Sequence, residues 1–197
     1  MSGFERFNKI LNLFSEKRNS MTVAEISEQL KIPSSTIYRT VREMVLADFL
    51  ESAAGSYFRL GQAFIKFSRI INLSDPLIQA GEPFLEKLAN ENPIPSTNIL
   101  ARLFGDKVMC VADFKYPSFK NNTSYQKGRL MPLLYGATSR AIIMQIKGKR
   151  LSDILNLEGL NDNKQQEIFI RDLDKDRKKG FCKTQGQVDR GLIGFAI

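Results

Sequence analysis

Two short helical periods lie between Thr22 and Val45, and a proline forces a break between them. Thr22-Val23-Ala24-Glu25 has the spacing of a capping box, in which the hydroxyl accepts from the amide three residues on and the glutamate reaches back. The helix it opens turns Val23, Ile26 and Leu30 inward and stops by Lys31. Ile32-Pro33 then starts a second helix, because a proline at the first helical position lacks only an N–H that would be unpaired there. Along that helix Ile37, Val41 and Met44 share one stripe with Val45 beside it, while Ser35, Thr36, Tyr38, Arg39 and Arg42 occupy the other face. Upstream, Phe4, Phe7, Ile10, Leu11 and Phe14 repeat at three- and four-residue steps and predict a helix over 4–16, followed by a polar break at 17–20. Downstream, residues 49–51 and 57–60 read as two short strands around a tight hairpin at 53–56.

Two helices joined by a short turn, the second exposing hydroxyls and arginines, suit a helix-turn-helix docked in a DNA major groove, and a hairpin after it suits a wing. The start of the second helix offers free amides to phosphate. Arg39 can pair with guanine through two hydrogen bonds, a contact that supplies about 1–3 kcal/mol of discrimination. The alternative at this point is a plain three-helix unit with a hairpin, in which Arg39 and Arg42 only solvate a surface.

The chain has 197 residues and a formal charge of +8, with no histidine and two cysteines. Without histidine there is no Ser-His-Asp triad, no Cys-His pair and no H-E-x-x-H zinc site. Cys110 and Cys182 cannot build a disulfide framework or a four-thiolate site, and read as small core residues. The positive excess points to a polyanion, yet residues 1–60 hold eight lysines and arginines against seven acids. Most of the excess therefore lies further on. Between Asp113 and Asp153 there is no acid, while eight cations run from Lys115 to Arg150. This stretch is either an electropositive approach to an anionic effector, with Arg140 or Arg129 as a planar fork for a carboxylate, or a solvated basic surface.

The rest of the chain predicts an α+β domain with one main sheet. Residues 62–74 are helically patterned through Phe64, Phe67 and Ile71, and Pro76 marks the end of that segment. Leu77–Asn92 gives a second amphipathic helix through Leu77, Phe84, Leu85 and Leu88. Residues 97–104 and 107–114 alternate as two strands about Gly105-Asp106. A polar loop at 116–126, helices at 136–145 (ended near Gly148) and 162–179 (ended by Gly180), and a strand at 192–197 follow.

The run T-V-A-E-I-S-E-Q-L-K-I-P-S-S-T-I-Y-R-T-V, followed by D-F-L-E-S and Y-F-R-L-G, resembles the IclR family of bacterial transcription regulators. The resemblance implies an N-terminal winged helix-turn-helix over 1–61, a helical linker over 62–75 that often contributes to dimer contact, and an effector-binding domain over 76–197 built on a GAF/PAS-like antiparallel sheet with flanking helices. Ser34, Ser35, Thr36, Tyr38, Arg39 and Arg42 match the DNA-facing helix, and Thr22 joins them as a DNA-binding candidate. Later landmarks are thinner: G-R-L-M-P-L at 128–133, K-G-F at 179–181 and Gly191-Leu192. Carried across by position, pocket-lining residues fall on Ala137, Thr138, Thr184 and Gly194. Ser139-Arg140 stands where the family usually has glycine-lysine, and both join the effector candidates.

Other departures are Leu134 for a histidine, Gly186 and Gln187 for acidic residues, Thr184 for an acidic pocket residue and Gly194 for a frequent cysteine. The ligand therefore need not be a typical effector of the family. Ile197 falls where the family runs on with further strands, so a missing C-terminal piece is expected, since an uncompleted sheet leaves an unpaired edge. The expected function is a sequence-specific transcription regulator, dimeric or a dimer of dimers, that binds a pseudo-palindromic operator in double-stranded DNA and answers to a small anionic effector, a carboxylate by class. No cofactor, metal or membrane partner is expected, and the location is cytoplasmic. The alternatives are a winged-helix protein-interaction or effector-independent DNA-binding protein and, more distantly, an enzyme acting on a small anionic substrate.

Overall fold

The computed structural model describes residues 2–121 and 123–197, and these divide after Ser74 into two compact units. In the first, α1 (Gly3–Leu11) opens on Ser2, whose hydroxyl accepts from the Glu5 amide at 3.1 Å. It stops five residues short of the sequence expectation. The chain turns at Asn12 and again through the Ser15–Arg18 bridge, while Phe14 still packs against the core from a non-helical position. Phe4, predicted on the apolar face, is exposed and only stacks on Phe7.

The polar break hides a strand. β1 (Ser20–Thr22) pairs with β3 (Tyr57–Leu60), which pairs in turn with β2 (Leu50–Ser52), and Met21 is buried opposite Phe58. Three residues carrying one apolar side chain present no period to read. α2 (Val23–Leu30) and α3 (Ser34–Leu46) follow, and Ile10, Met21, Ile26, Ile37, Val41, Met44 and Leu50 form the core between them and the sheet. Pro33 is the N-cap of α3 rather than its first residue, and its carbonyl accepts from the Thr36 and Ile37 amides. Residues expected to form the linker make α4 (Ala63–Ser74), which groups with the first unit and sets Phe64 edge-on and Phe67 stacked against Phe49.

The second unit begins with α5 (Pro76–Glu91), capped by Asp75. Its buried face is Ile78, Leu85 and Ala89, whereas Leu77, Phe84 and Leu88 are exposed. Apolar residues lie on both sides of this helix, and Gly81 decides the phase. A Cβ there would stand 2.5 Å from Leu100, so only a glycine lets the helix lie this close to the sheet. That sheet is antiparallel, in the order β4 (Thr97–Phe104), β5 (Lys107–Lys115), β6 (Leu130–Pro132), with a bulge between Leu100 and Ala101.

α6 (Ala137–Ile143) is shorter than the expected 136–145 helix, and Gly148 opens α7 (Gly148–Leu157) instead of ending a segment. α8 (Asn163–Lys179) runs between an Asp162 cap and Gly180, as its end signals predict. β7 (Cys182–Gln185) and β8 (Ile193–Ala196) form a separate antiparallel pair. The described residues of this unit therefore hold two sheets where one main sheet was expected. Val108, Leu133, Ile143, Leu155, Leu173 and Cys182 are its most buried apolar side chains.

Lys31 sits at φ 54°, ψ 44°, a left-handed conformation that a side chain disfavours by about 1–2 kcal/mol. Lys31→Gly should therefore stabilise the first unit by about 1 kcal/mol, read as a higher urea midpoint at unchanged slope.

Candidate functional site

On α3 the structure separates two faces. Ile37, Thr40, Val41 and Met44 are buried, while Ser34, Ser35, Tyr38, Arg39 and Arg42 are exposed and Thr36 is half-buried. Neither Arg39 nor Arg42 takes part in an ion pair among the described residues, whereas Lys9 pairs with Glu5 and Arg59 with Glu51 across β2 and β3. Ser34 donates to the Ser27 hydroxyl at 3.0 Å, which fixes the first residue of α3 to α2. Thr22 is engaged within its capping box. Its hydroxyl accepts from the Glu25 amide at 3.2 Å and donates to the Glu25 carboxylate at 2.9 Å, while its own amide donates to that carboxylate at 2.7 Å. These bonds, the amide's first, hold the Glu25 carboxyl below its ordinary range.

One polar residue inside α3 escaped the sequence reading. Thr40 lies on the buried side, where its hydroxyl accepts from Arg6 of α1 at 2.6 Å and donates to the Thr36 carbonyl at 3.2 Å. A threonine beside an apolar stripe carries no mark of such a partner thirty-four residues away.

In the second unit Ala137, Thr184 and Gly194 come together. Thr184 faces Gly194 in the β7–β8 register, and a Cβ on Gly194 would lie 3.1 Å from that of Ala137 and 3.3 Å from the Thr184 hydroxyl. Thr138 is half-buried in the first turn of α6. Ser139 is fully buried and donates to the Pro132 carbonyl at 2.7 Å, with the Tyr125 hydroxyl also 2.7 Å away. Arg140 bonds through Nε to Asp176 and lies over the Phe169 ring at 5.7 Å. Of the two guanidiniums expected to serve as carboxylate forks, Arg140 is thus held by a carboxylate of the chain itself, while Arg129 is exposed.

One cleft in this unit is lined by Glu82, Glu86, Asp113 and Phe114, and one in the first unit by Phe14, Arg59 and Leu60. Neither includes the six effector candidates. Among the described residues no cluster of His, Cys, Asp or Glu could hold a metal ion, and no helix is long and apolar enough to cross a membrane. Both cysteines are buried, and burial pushes the Cys110 thiol up to about 12.

Residues 5–53, which span α1 to the wing, match the model of the IclR helix-turn-helix domain. Over its whole length the chain is also 19% identical to the Pca regulon regulatory protein of Pseudomonas putida, covering 68% of that protein. The first unit carries an IclR-type helix-turn-helix domain. The fold agrees: an IclR homolog from Microbacterium hydrocarbonoxydans, solved in complex with 4-hydroxybenzoate, superposes with a TM-score of 0.79 at 19% identity, covering 100% of this chain and 82% of that one. An IclR-type transcriptional regulator from Alicyclobacillus acidocaldarius gives 0.80 at 22% identity, with 99% and 80% covered. The matched domain and the regulatory protein both point to transcription regulation, and neither points to the enzymatic alternative.

In the second unit the loop after β5 is fastened to the β7–β8 turn. Asp189 accepts from the Ser124 amide at 2.8 Å, the Ser124 hydroxyl at 2.5 Å and the Thr123 hydroxyl at 3.0 Å, and nearby the Gln187 side chain accepts from the Gly136 amide. Burial raises the Asp189 carboxyl, but the Ser124 and Thr123 hydrogen bonds together outweigh it, and the net direction is downward. A depressed carboxyl stabilises the fold above its unfolded pKa of about 3.9, and that stabilisation is lost as pH falls through the lower folded value. Asp189→Asn should therefore weaken the second unit at neutral pH. The difference from wild type should shrink below about pH 3.9 in urea titrations across that range.

Proposed function

We propose that this chain is an IclR-family, sequence-specific transcription regulator whose hold on a pseudo-palindromic operator changes when a small anionic effector, a carboxylate, binds its second unit. The observation that carries the DNA half is the free face of α3, where Tyr38, Arg39 and Arg42 stand exposed beside Ser35 and no acid neutralises the arginines among the described residues. Arg39 and Arg42 are the base- and phosphate-contacting cations in this reading. Ser34, Ser35 and Thr36 act at the helix start, and Thr22 contributes by holding α2. Ile65, Ile70, Ile71 and Leu73 are apolar side chains left exposed on α4, which supports association of two copies. Two α3 helices about 34–36 Å apart then read the half-sites.

The effector half is supported by the basic stretch from Lys115 to Arg150 and by the 4-hydroxybenzoate in complex with the M. hydrocarbonoxydans homolog. Ala137, Thr138, Thr184 and Gly194 are the proposed lining, with Ser139 and Arg140 shaping it from behind. Coupling between effector and operator of about 1–3 kcal/mol is the usual scale for such regulators. The engagement of Arg140 by Asp176 favours one competing reading, an effector-independent DNA-binding protein.

Selection from a random duplex pool followed by gel shift tests the first half. Arg39→Ala with Arg42→Ala should cost about 1–3 kcal/mol per lost base contact and relax sequence preference. Unaltered binding by the double variant would remove α3 from the DNA reading. Thermal-shift screening with 4-hydroxybenzoate and other small carboxylates tests the second half. A ligand at a hundred times its Kd stabilises by about 2.7 kcal/mol, and a flat screen favours the effector-independent reading.

A further inference from the structure

The side chain of Arg6 links α1 to the recognition helix. From the second turn of α1 it donates Nε–H to the Thr40 hydroxyl at 2.6 Å, and that hydroxyl donates to the Thr36 carbonyl at 3.2 Å. Thr40 is 4% exposed, so its hydroxyl must find its partners inside the protein. Thr36, Thr40 and Glu43 follow one another at four- and three-residue steps and so share one edge of α3. On one side of that edge lies the buried stripe of Ile37, Val41 and Met44. On the other lies the exposed face that bears Arg39. Arg6 therefore stands at the border of the surface that meets DNA.

A guanidinium has five N–H donors in a plane and stays charged at any physiological pH. Nε accounts for one. The terminal nitrogens have no carboxylate partner among the described residues, although Lys9, one turn on in the same helix, has Glu5. An arginine fixed through Nε with its terminal donors free has the planar arrangement that takes a phosphate through two hydrogen bonds.

We propose that Arg6 is a further DNA-contacting residue: anchored to Thr40 through Nε, it presents its terminal nitrogens to a backbone phosphate at the rim of the groove that α3 enters. This rests on the reading of α3 as the recognition helix. A phosphate contact carries no sequence information itself but fixes register and orientation on the duplex. Because the same guanidinium holds Thr40, and Thr40 holds the carbonyl of Thr36, the contact is tied to the first turn of α3, where bases are read.

The test uses the full chain and a duplex that the wild-type protein enriches from a random pool. Binding is followed by fluorescence anisotropy between about 50 and 200 mM salt, where each neutralised phosphate adds about 0.9 to the slope of log affinity against log salt. Arg6→Gln keeps an N–H donor for Thr40 and removes the charge. It should weaken binding at low salt and make the slope shallower by about 0.9, with base preference retained. Arg6→Lys, which keeps the charge, should retain the slope. Thr40→Val removes the anchor but not the cation, and should weaken binding at an unchanged slope.

An Arg6→Gln slope equal to wild type overturns the proposal, whether affinity falls (a purely structural link) or holds. If Thr40→Val does not fold, the Arg6 variants decide alone. Arg39→Ala is the separate control. If no duplex is enriched, or Arg39→Ala leaves affinity and preference untouched, the reading of α3 fails and takes this proposal with it.

Discussion

Between α2 and α3 the backbone must change direction within Lys31, Ile32 and Pro33, none of them glycine, and a side chain from α2 closes the turn. The Ser27 hydroxyl donates to the Ile32 carbonyl at 2.6 Å and accepts from the Ser34 hydroxyl, while the Ile32 amide donates to the Ser27 carbonyl at 3.1 Å. The polar groups of this largely exposed turn are thus paired within the chain, and each such bond contributes about 0.5–1.5 kcal/mol. With its start fixed, α3 can turn Ile37, Val41 and Met44 into the core and its arginines outward. The left-handed Lys31 follows a helix held at its start by the Thr22–Glu25 cap, and Ser27 reaches past it to the Ile32 carbonyl. The direction this turn imposes on α3 sets which of its side chains are buried and which are exposed.

Elements marked by their own ends were readable from sequence. The Thr22–Glu25 box, the Asp162 and Gly180 limits of α8, and the Gly105-Asp106 turn between β4 and β5 are local signals, satisfied within a few residues of where they are written. Readings failed where tertiary packing chose between local options. α5 is apolar on two sides, and the fit of Gly81 against Leu100 selects the face that sequence could not. Gly148, a stop by composition, begins a helix, and β1 exists only because β3 offers it a partner.

The candidate residues divide the same way. Exposure along α3 was readable because a 3.6-residue period fixes which side chains face away from an apolar stripe. Partners were not. Asp176 is thirty-six residues from Arg140, and the wedge of Phe169 beneath the guanidinium comes from the same distant helix. A cation that sequence assigns to a ligand can thus be one the fold uses itself, and truncating either partner of such a half-buried pair strands the other's charge. Arg129, exposed, keeps the freedom that Arg140 lacks.

The first unit also shows why total charge is a poor guide to a DNA-binding surface. Its cations are nearly balanced by its acids over residues 1–60, but the balance is not local. Glu5 and Glu51 neutralise Lys9 and Arg59, while Arg39 and Arg42 on α3 have no such neighbour among the described residues. Exposed pairs contribute about 0–1 kcal/mol to stability, so pairing Lys9 and Arg59 adds little to the fold. Its larger consequence is for the field, because Arg39 and Arg42 keep their charge unpaired on the exposed face of α3 while Lys9 and Arg59 are locally neutralised. A steering field so placed acts within about 8–10 Å at physiological salt, which confines attraction to groups already close to that helix. Unpaired charge gathered on an exposed helix face favours docking orientations that bring that face to a polyanion.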